Sequence, residues 1–442
     1  MNLEHRMTRV CAAALLTAGL ATSAAVVSAA GAAASAAAQD QCTSPVELGI
    51  SYFGGVAEAS QSVGADAADT PSDEEIEEQL HTGVDALNDE GGLGGCQVEP
   101  VIYRFAAGGD WTTESQQACT TFTQDHDVVA AIALAGFEGQ TFLDCMIEQK
   151  TPVVGLRYPI SNAGFKKHSP YLYEPGTVGY SDYDAMVKAL KTRGFLTTSS
   201  KVGILSTDTP NNDDLVDDVL KPTLKKLGIP VVAEASFTPA TSVDTLTAGF
   251  AQAPAAVLQF KEAGVDRVIG TNFFFFMTTA EAQDYKPQYA GLGDFGATLN
   301  FLPPGQLDGA LVVTGQPGLV ICGTTIGGPC AEYDEVPDNA AKTRCDEVYS
   351  GNGSSDDVPP PLNFCTQLDF LREAFADASK LSAKQLQAGM DSLDTSFVAA
   401  NAVGPTRFGA GLPPTGAAEL AILKYDPGTN TMAISGRFIK LS

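Results

Sequence analysis

From Val46 onward, short apolar runs alternate with stretches whose apolar residues recur every three or four positions. Val46–Phe53 reads as a strand ending at Gly54-Gly55. Residues 57–73 are small, polar and acidic and read as a loop. Glu74–Asn88 places Ile76, Leu80, Val84 and Leu87 on one helical face, and Gly91-Gly92 stops it. Val98–Phe105 is a strand, and Thr112–Gln124 a helix with Thr112 or Thr113 as its cap. The same alternation gives strands at Val128–Leu134, Pro152–Leu156, Lys201–Ser206, Val231–Phe237 and Val265–Thr271. Helices are expected at Gln140–Gln149, Tyr180–Arg193, Leu215–Leu227 and Val243–Ala263. Gln288–Gly291 and Gly309–Thr314 are short strands. Leu362–Ala378 and Ala383–Ser392 read as helices, and Ala418–Tyr425 with Met432–Leu441 as a closing hairpin. Short apolar runs alternating with helices predict an α/β fold on mostly parallel sheets.

Two segments break the rhythm. Residues 1–38 begin with His5, Arg6 and Arg9, then run without charge from Val10 to Ala38 and end in Ala36-Ala37-Ala38. A basic start, an apolar middle and a small-residue end make a signal peptide; an uncleaved anchor is the competing reading. Cys42 does not follow a Leu-small-small pattern, so no lipid-anchored cysteine is expected. The second is residues 316–361, a long connection with Gly351-Asn352-Gly353 and Pro359-Pro360-Pro361 at its end, which needs staples or order of its own.

Composition adds three constraints. At 442 residues the chain calls for two or three domains. Its net charge of −27 repels phosphate backbones, so no nucleic-acid partner is expected. Of its nine cysteines only Cys11 lies in the leader. The other eight form an even set in an exported chain and read as a disulfide framework.

Catalytic signatures are missing. There is no P-loop, no G-x-S-x-G elbow and no H-E-x-x-H, and Gly91-Gly92-Leu93-Gly94-Gly95 follows a helix, where a turn explains it. No cofactor or metal is implied. Six predicted strands instead end in aromatic or polar residues. These ends are Ser51-Tyr52-Phe53, Gly136-Phe137-Glu138, Arg157-Tyr158, Asp208 with Asn211 and Asn212, Asn272 with Phe273–Phe276, and Asp294-Phe295. In open parallel sheets ligands sit beyond the carboxyl ends of strands, and aromatic walls with a few charges suit a small organic molecule.

The order of segments across residues 45–440 resembles the type I periplasmic binding proteins, specifically the leucine/isoleucine/valine-binding family of ABC transporters. Val46-Glu47-Leu48-Gly49-Ile50 is similar to that family's opening strand. Ala86-Leu87-Asn88-Asp89-Glu90-Gly91-Gly92-Leu93-Gly94-Gly95 is similar to its glycine-rich helix end. Leu205-Ser206-Thr207-Asp208, Leu224–Gly228 and Gly264–Ile269 fit later segments. The resemblance implies two Rossmann-like lobes joined by three crossovers. Lobe 1 would span residues 43–159 and 318–397, and lobe 2 would span 160–317 and 398–442. The disulfide-stapled 316–361 segment would be an insert. It further implies a monomeric, exported protein that takes a small polar or amphipathic molecule, an amino acid or amide among them, to a membrane permease.

The ligand-binding positions the resemblance and the strand ends suggest are Phe53, Phe137, Glu138, Arg157, Tyr158, Tyr180, Asp208, Asn212, Phe273, Phe274 and Asp294. Glu138 replaces a Ser/Thr-rich carboxylate loop and would repel a carboxylate, whereas the planar fork of Arg157 suits one. Asn212 stands where an aromatic is usual. Pairing of cysteines does not follow from sequence; proximity in the implied fold suggests Cys42–Cys96, Cys119–Cys145, Cys322–Cys330 and Cys345–Cys365. Two other readings stay open at this point. One is a ligand-sensing ectodomain, disfavoured by the absence of a C-terminal membrane span. The other is an exported hydrolase using Glu138 and Asp294 as an acid/base pair.

Overall fold

The structure is a computed structural model. It describes residues 42, 44–55, 71–136, 138–156, 160–293, 302–322, 330, 333–350 and 360–441. The expected leader, the loop at 57–70, Phe137, Arg157, Tyr158 and Asp294 lie outside the described residues.

The first sheet has five parallel strands in the order β2-β1-β3-β4-β5, formed by β1 (Val46–Gly54), β2 (Val98–Ala106), β3 (Ala131–Ala133), β4 (Val153–Val154) and β5 (Leu172–Tyr173). Helices cover both faces, which is why its central strands are apolar on both sides. One face packs on α1 (Asp73–Asp89) through Ile76, Leu80 and Val84, the other on α2 (Trp111–Thr120), the π-type turn that continues it, and α3 (Gly139–Glu148) through Phe122, Phe142 and Met146. Ser72 and Glu75 form a capping box at the start of α1. The cap of α2 is Asp110, whose carboxylate accepts the Thr113 N–H at 2.8 Å, not Thr112 or Thr113 as the sequence suggested. A carboxylate serves better there because it also meets the positive end of the helix dipole.

The second sheet runs β12-β11-β10-β9-β8-β6-β7. Its parallel part is β6 (Val202–Thr207), β7 (Val231–Phe237), β8 (Arg267–Gly270), β9 (Gln288–Leu292) and β10 (Leu311–Thr314). The expected hairpin, β11 (Glu419–Asp426) and β12 (Thr431–Ile434), joins it antiparallel, and β13 (Ile439–Lys440) pairs with β11. Between β4 and β5 lies α4 (Asn162–His168), and between β5 and β6 lies α5 (Asp182–Thr192). The helix expected at Leu215–Leu227 begins earlier, as α6 (Pro210–Asp214). It passes through a wider π-type turn and ends as α7 (Lys221–Lys226). The long α8 (Val243–Ala263) starts at a Ser242 cap and stops where Gly264 turns left-handed. The phenylalanine run opens α9 (Phe274–Ala282), a helix the apolar run did not disclose, and the short α10 (Pro304–Leu307) precedes β10.

The chain crosses between lobes three times. Tyr173 belongs to the first core and Tyr180 to the second, so the first crossing follows β5, beyond the expected boundary at 159. The crossing segments hold one another by main-chain bonds. Glu174 N donates to Pro414 O (2.7 Å), Ala417 N to Thr177 O (3.0 Å) and Gly318 N to Asn401 O (3.1 Å). Arg407 bonds to Asp182 at 3.2 Å, tying the third crossing to the first.

The segment 316–361 is more than an outer insert. Its short helices α11 (Pro317–Cys322) and α12 (Ala340–Tyr349) send Val320, Ile321, Cys345 and Tyr349 into the same apolar core as second-sheet residues. The Tyr349 hydroxyl donates to Gln79 O of α1 at 2.9 Å. From there α13 (Leu362–Ala374) and α14 (Ala383–Leu393) return to the first sheet. All four disulfides join the expected partners, Cys42–Cys96, Cys119–Cys145, Cys322–Cys330 and Cys345–Cys365. Among the described residues no helix is long and apolar enough to cross a membrane.

Candidate functional site

The candidate site lies at the carboxyl ends of the strands in the two sheets. On the first lobe, β1 ends with Ser51 and Phe53, and β3 runs on to Glu138 at the head of α3. Glu138 is fully buried. Its Oε1 accepts the Ser51 hydroxyl at 2.7 Å and the Ala135 N–H at 2.9 Å, while Oε2 has no hydrogen-bond partner among the described residues. Burial holds the carboxyl above its ordinary value, and the donors around it oppose that shift. Ser115 of α2 stands behind this group. Its Oγ lies 2.6 Å from Glu138 O and 2.7 Å from Trp111 O, and its one proton serves either carbonyl.

Phe53 meets the Trp111 ring edge-on, with centroids 5.6 Å apart. Trp111 is the chain's sole tryptophan and is only 2% exposed. Its indole N–H donates to Ala106 O at 3.2 Å. Its main-chain N–H reaches the other lobe, donating to Thr241 O at 2.8 Å, and Asp110 and Ser242 form an antiparallel bridge. The starts of α2 and α8 therefore meet across the gap between the lobes.

On the second lobe, polar groups gather where β6 and β8 end. Asn212, nearly buried at the start of α6, donates through Nδ2 to Thr209 Oγ1 (2.8 Å) and accepts from Thr271 Oγ1 (3.3 Å). Asn272 Nδ2 donates to Thr207 Oγ1 at 3.3 Å. Asp208 is exposed beside them. Gly293, at the end of β9, has φ +84°, and a Cβ there would stand 3.1 Å from the Tyr183 hydroxyl of α5.

The expected residues that the structure describes fall into three groups. Phe53 and Glu138 come together on the first lobe, and Asp208 and Asn212 on the second. Tyr180, Phe273 and Phe274 pack within the second lobe. Tyr180 sits with Tyr183 and Leu215, and burial pushes its hydroxyl upward. Phe273 packs edge-on to Tyr289 at 5.9 Å, and Phe274 meets Phe250 at 5.4 Å. Phe137, Arg157, Tyr158 and Asp294 lie outside the described residues. Sequence reasoning missed Trp111, Ser115, Thr207 and Thr271. Trp111 follows Asp110, so recognising that aspartate as the cap would have put the tryptophan at the helix mouth.

Two α/β lobes, three crossings and helix starts that meet between the lobes are the frame of a two-lobed binding protein. A family model described as periplasmic binding protein matches residues 71–318. The chain belongs to the periplasmic binding protein family. Its fold is the type I form, two lobes on mostly parallel sheets. No curated protein matches the chain. Among solved structures it is similar to a fatty acid ABC transporter substrate-binding protein from Thermomonospora curvata, at 16% identity and TM-score 0.62, covering 90% of this chain and 93% of that one. A branched-chain amino acid ABC transporter protein from Thermus thermophilus with bound valine matches at 13% identity and TM-score 0.59, covering 90% and 98%. A solute-binding protein from R. palustris in complex with 4-hydroxybenzoate matches at 14% and 0.61, covering 90% and 97%. At such identities the likeness establishes the fold.

Proposed function

We propose that this chain is an exported solute-binding protein that captures one small polar or amphipathic molecule between its lobes and delivers it to an ABC permease. The observation that carries the reading is the meeting of the two lobes at the Trp111–Thr241 main-chain bond, with a strand-end cluster on each lobe. Ser51, Phe53 and Glu138 stand on one side and Thr207, Asn212 and Asn272 on the other. An apolar wall with a few fixed polar groups is the usual make-up of a small-molecule site. A ligand touching both clusters favours the closed arrangement over the open one by its contacts to the second lobe.

Family membership supports capture without turnover, as do similar solved proteins named for a fatty acid transporter, bound valine and bound 4-hydroxybenzoate. The breadth of those names leaves the head group to this chain's own residues. The test is a thermal-shift screen over amino acids, amides, ureas, short peptides, fatty acids and aromatic acids. A true ligand at one hundred times its dissociation constant stabilises the fold by about 2.7 kcal/mol. A well-folded, non-reduced sample that shows no shift with any class would remove the proposal's support.

A further inference from the structure

Ala135, Gly136 and Glu138, ahead of α3, have the build of an anion seat. Gly136 is left-handed at φ +76°, α3 begins at Gly139, and the main-chain N–H groups of Ala135, Gly136 and Glu138 serve the Glu138 carboxyl there. The Ser51 hydroxyl adds a side-chain donor from β1. In this chain the seat is already filled. The Glu138 carboxyl folds back on its own loop and takes the Ser51 hydroxyl and the Ala135 N–H on one oxygen. The N–H groups of Gly136 and of Glu138 itself also favour its charged form. Its second oxygen, Oε2, is buried without a partner among the described residues.

We propose that Glu138 is a specificity-determining residue that occupies the seat a ligand carboxylate would need, so that the cleft takes a neutral or cationic head group, an amide, urea, amine or polyol, in preference to a carboxylate. Two effects act in the same direction. The donors of the seat are spent on an internal carboxyl, and a second carboxylate brought beside it meets like charge in a water-poor site. An amide satisfies the remaining oxygen in either protonation state, because it offers both an N–H and a carbonyl. This inference rests on the reading of the cleft as a solute site.

Matched acid and amide pairs test it: 4-hydroxybenzoate with 4-hydroxybenzamide, L-leucine with L-leucinamide, and hexanoate with hexanamide. Affinities are read by calorimetric titration of the full chain. The wild type should favour the amide of the pair it binds by at least about 10-fold, the scale of one unfavourable charge contact. Glu138→Ala, which vacates the seat, should erase or reverse that preference. Glu138→Gln keeps the Oε1 contacts and the shape and serves if the alanine variant folds poorly; it should narrow the preference by removing the charge alone. A wild type that binds the acid as tightly as the amide, or variants with an unchanged ratio, would overturn the inference while leaving capture intact. Acetate supplies an arm that does not depend on the solute. It should raise the melting temperature of Glu138→Ala and not of the wild type, and equal behaviour of the two would show that no seat was vacated.

Discussion

The main-chain N–H of Trp111, in the first turn of α2, donates to the carbonyl of Thr241, one residue ahead of the α8 cap, across 2.8 Å. This bond joins two lobes whose covalent connections all lie elsewhere, in the three crossings. It makes the sole tryptophan a resident of the rim, with its ring edge-on to Phe53 and its backbone on the second lobe.

Opening of the lobes must break that bond and hydrate the neighbourhood of the indole. Saturating ligand should therefore shift Trp111 emission to shorter wavelength relative to the ligand-free protein. Trp111→Phe should remove the signal while leaving the thermal shift by the same ligand in place. A ligand that raises the melting temperature without changing the emission would place closure away from this rim.

The carboxyl of Glu138 gives a pH prediction with a definite sign. Burial raises it above the ordinary 4.5, so the folded chain binds more protons than the unfolded one between 4.5 and the raised value. This group's contribution is most favourable below 4.5 and declines as pH rises through the folded value. The uncharged side chain of Glu138→Gln does not titrate. Denaturant unfolding of wild type and variant, repeated from pH 4 upward in steps, should therefore move in the variant's favour as pH increases. A constant difference would mean that the buried carboxyl carries no shift.

Where α13 and α14 pack, Gly389 lies against the main chain of Ala374, and a Cβ at 389 would fall on the Ala374 carbonyl oxygen. A carbonyl in a helix cannot yield as a flexible side chain would. Gly389→Ala should cost about 3 kcal/mol, the upper part of the range for overpacking. Gly108→Ala, whose added methyl meets nothing within 4 Å, is the matched control and should be near neutral. Equal stability of the two variants in denaturant melts would refute this packing.

The Cys345–Cys365 bridge ties α12 to α13 over 20 residues of sequence. Loop-closure entropy for a ring of that size gives about 3 kcal/mol. The double variant Cys345→Ala with Cys365→Ala should lose about 2–4 kcal/mol in a non-reducing denaturant melt. The larger effect should fall on the 316–361 segment, so hydrogen exchange should rise first in α12. Peptide mapping without reduction should recover all four bridges.

Much of the fold was legible because a buried parallel strand leaves a short apolar run and its helix leaves a 3.6-residue period. β1, β2, β6, α1 and α8 show both clearly. Elements with few residues or mixed faces stayed hidden. β5 is two residues long and lies after a loop-like stretch, so the first sheet was expected to end too early. α9 opens on four phenylalanines that carry no period at all. The interior place of α12 depends on contacts far apart in sequence, such as Tyr349 with Gln79, which no local pattern records. The site was half legible for a similar reason. Strand ends mark Phe53, Glu138 and Asn212 because topology sends ligands there. Ser115 reaches Glu138 from a helix interior, Trp111 reaches Phe53 from a helix start, and Thr271 reaches Asn212 from a loop, pairings that only the folded chain makes.

The central claim is capture of one solute between two lobes without chemical change. Its most direct measurement is calorimetric titration with the strongest hit of the thermal-shift screen, followed by chromatography of the recovered solute. The account predicts saturable binding at one site per chain and a solute recovered unaltered. Absence of a saturable site in folded, non-reduced protein, or a solute returned as a product, would contradict it.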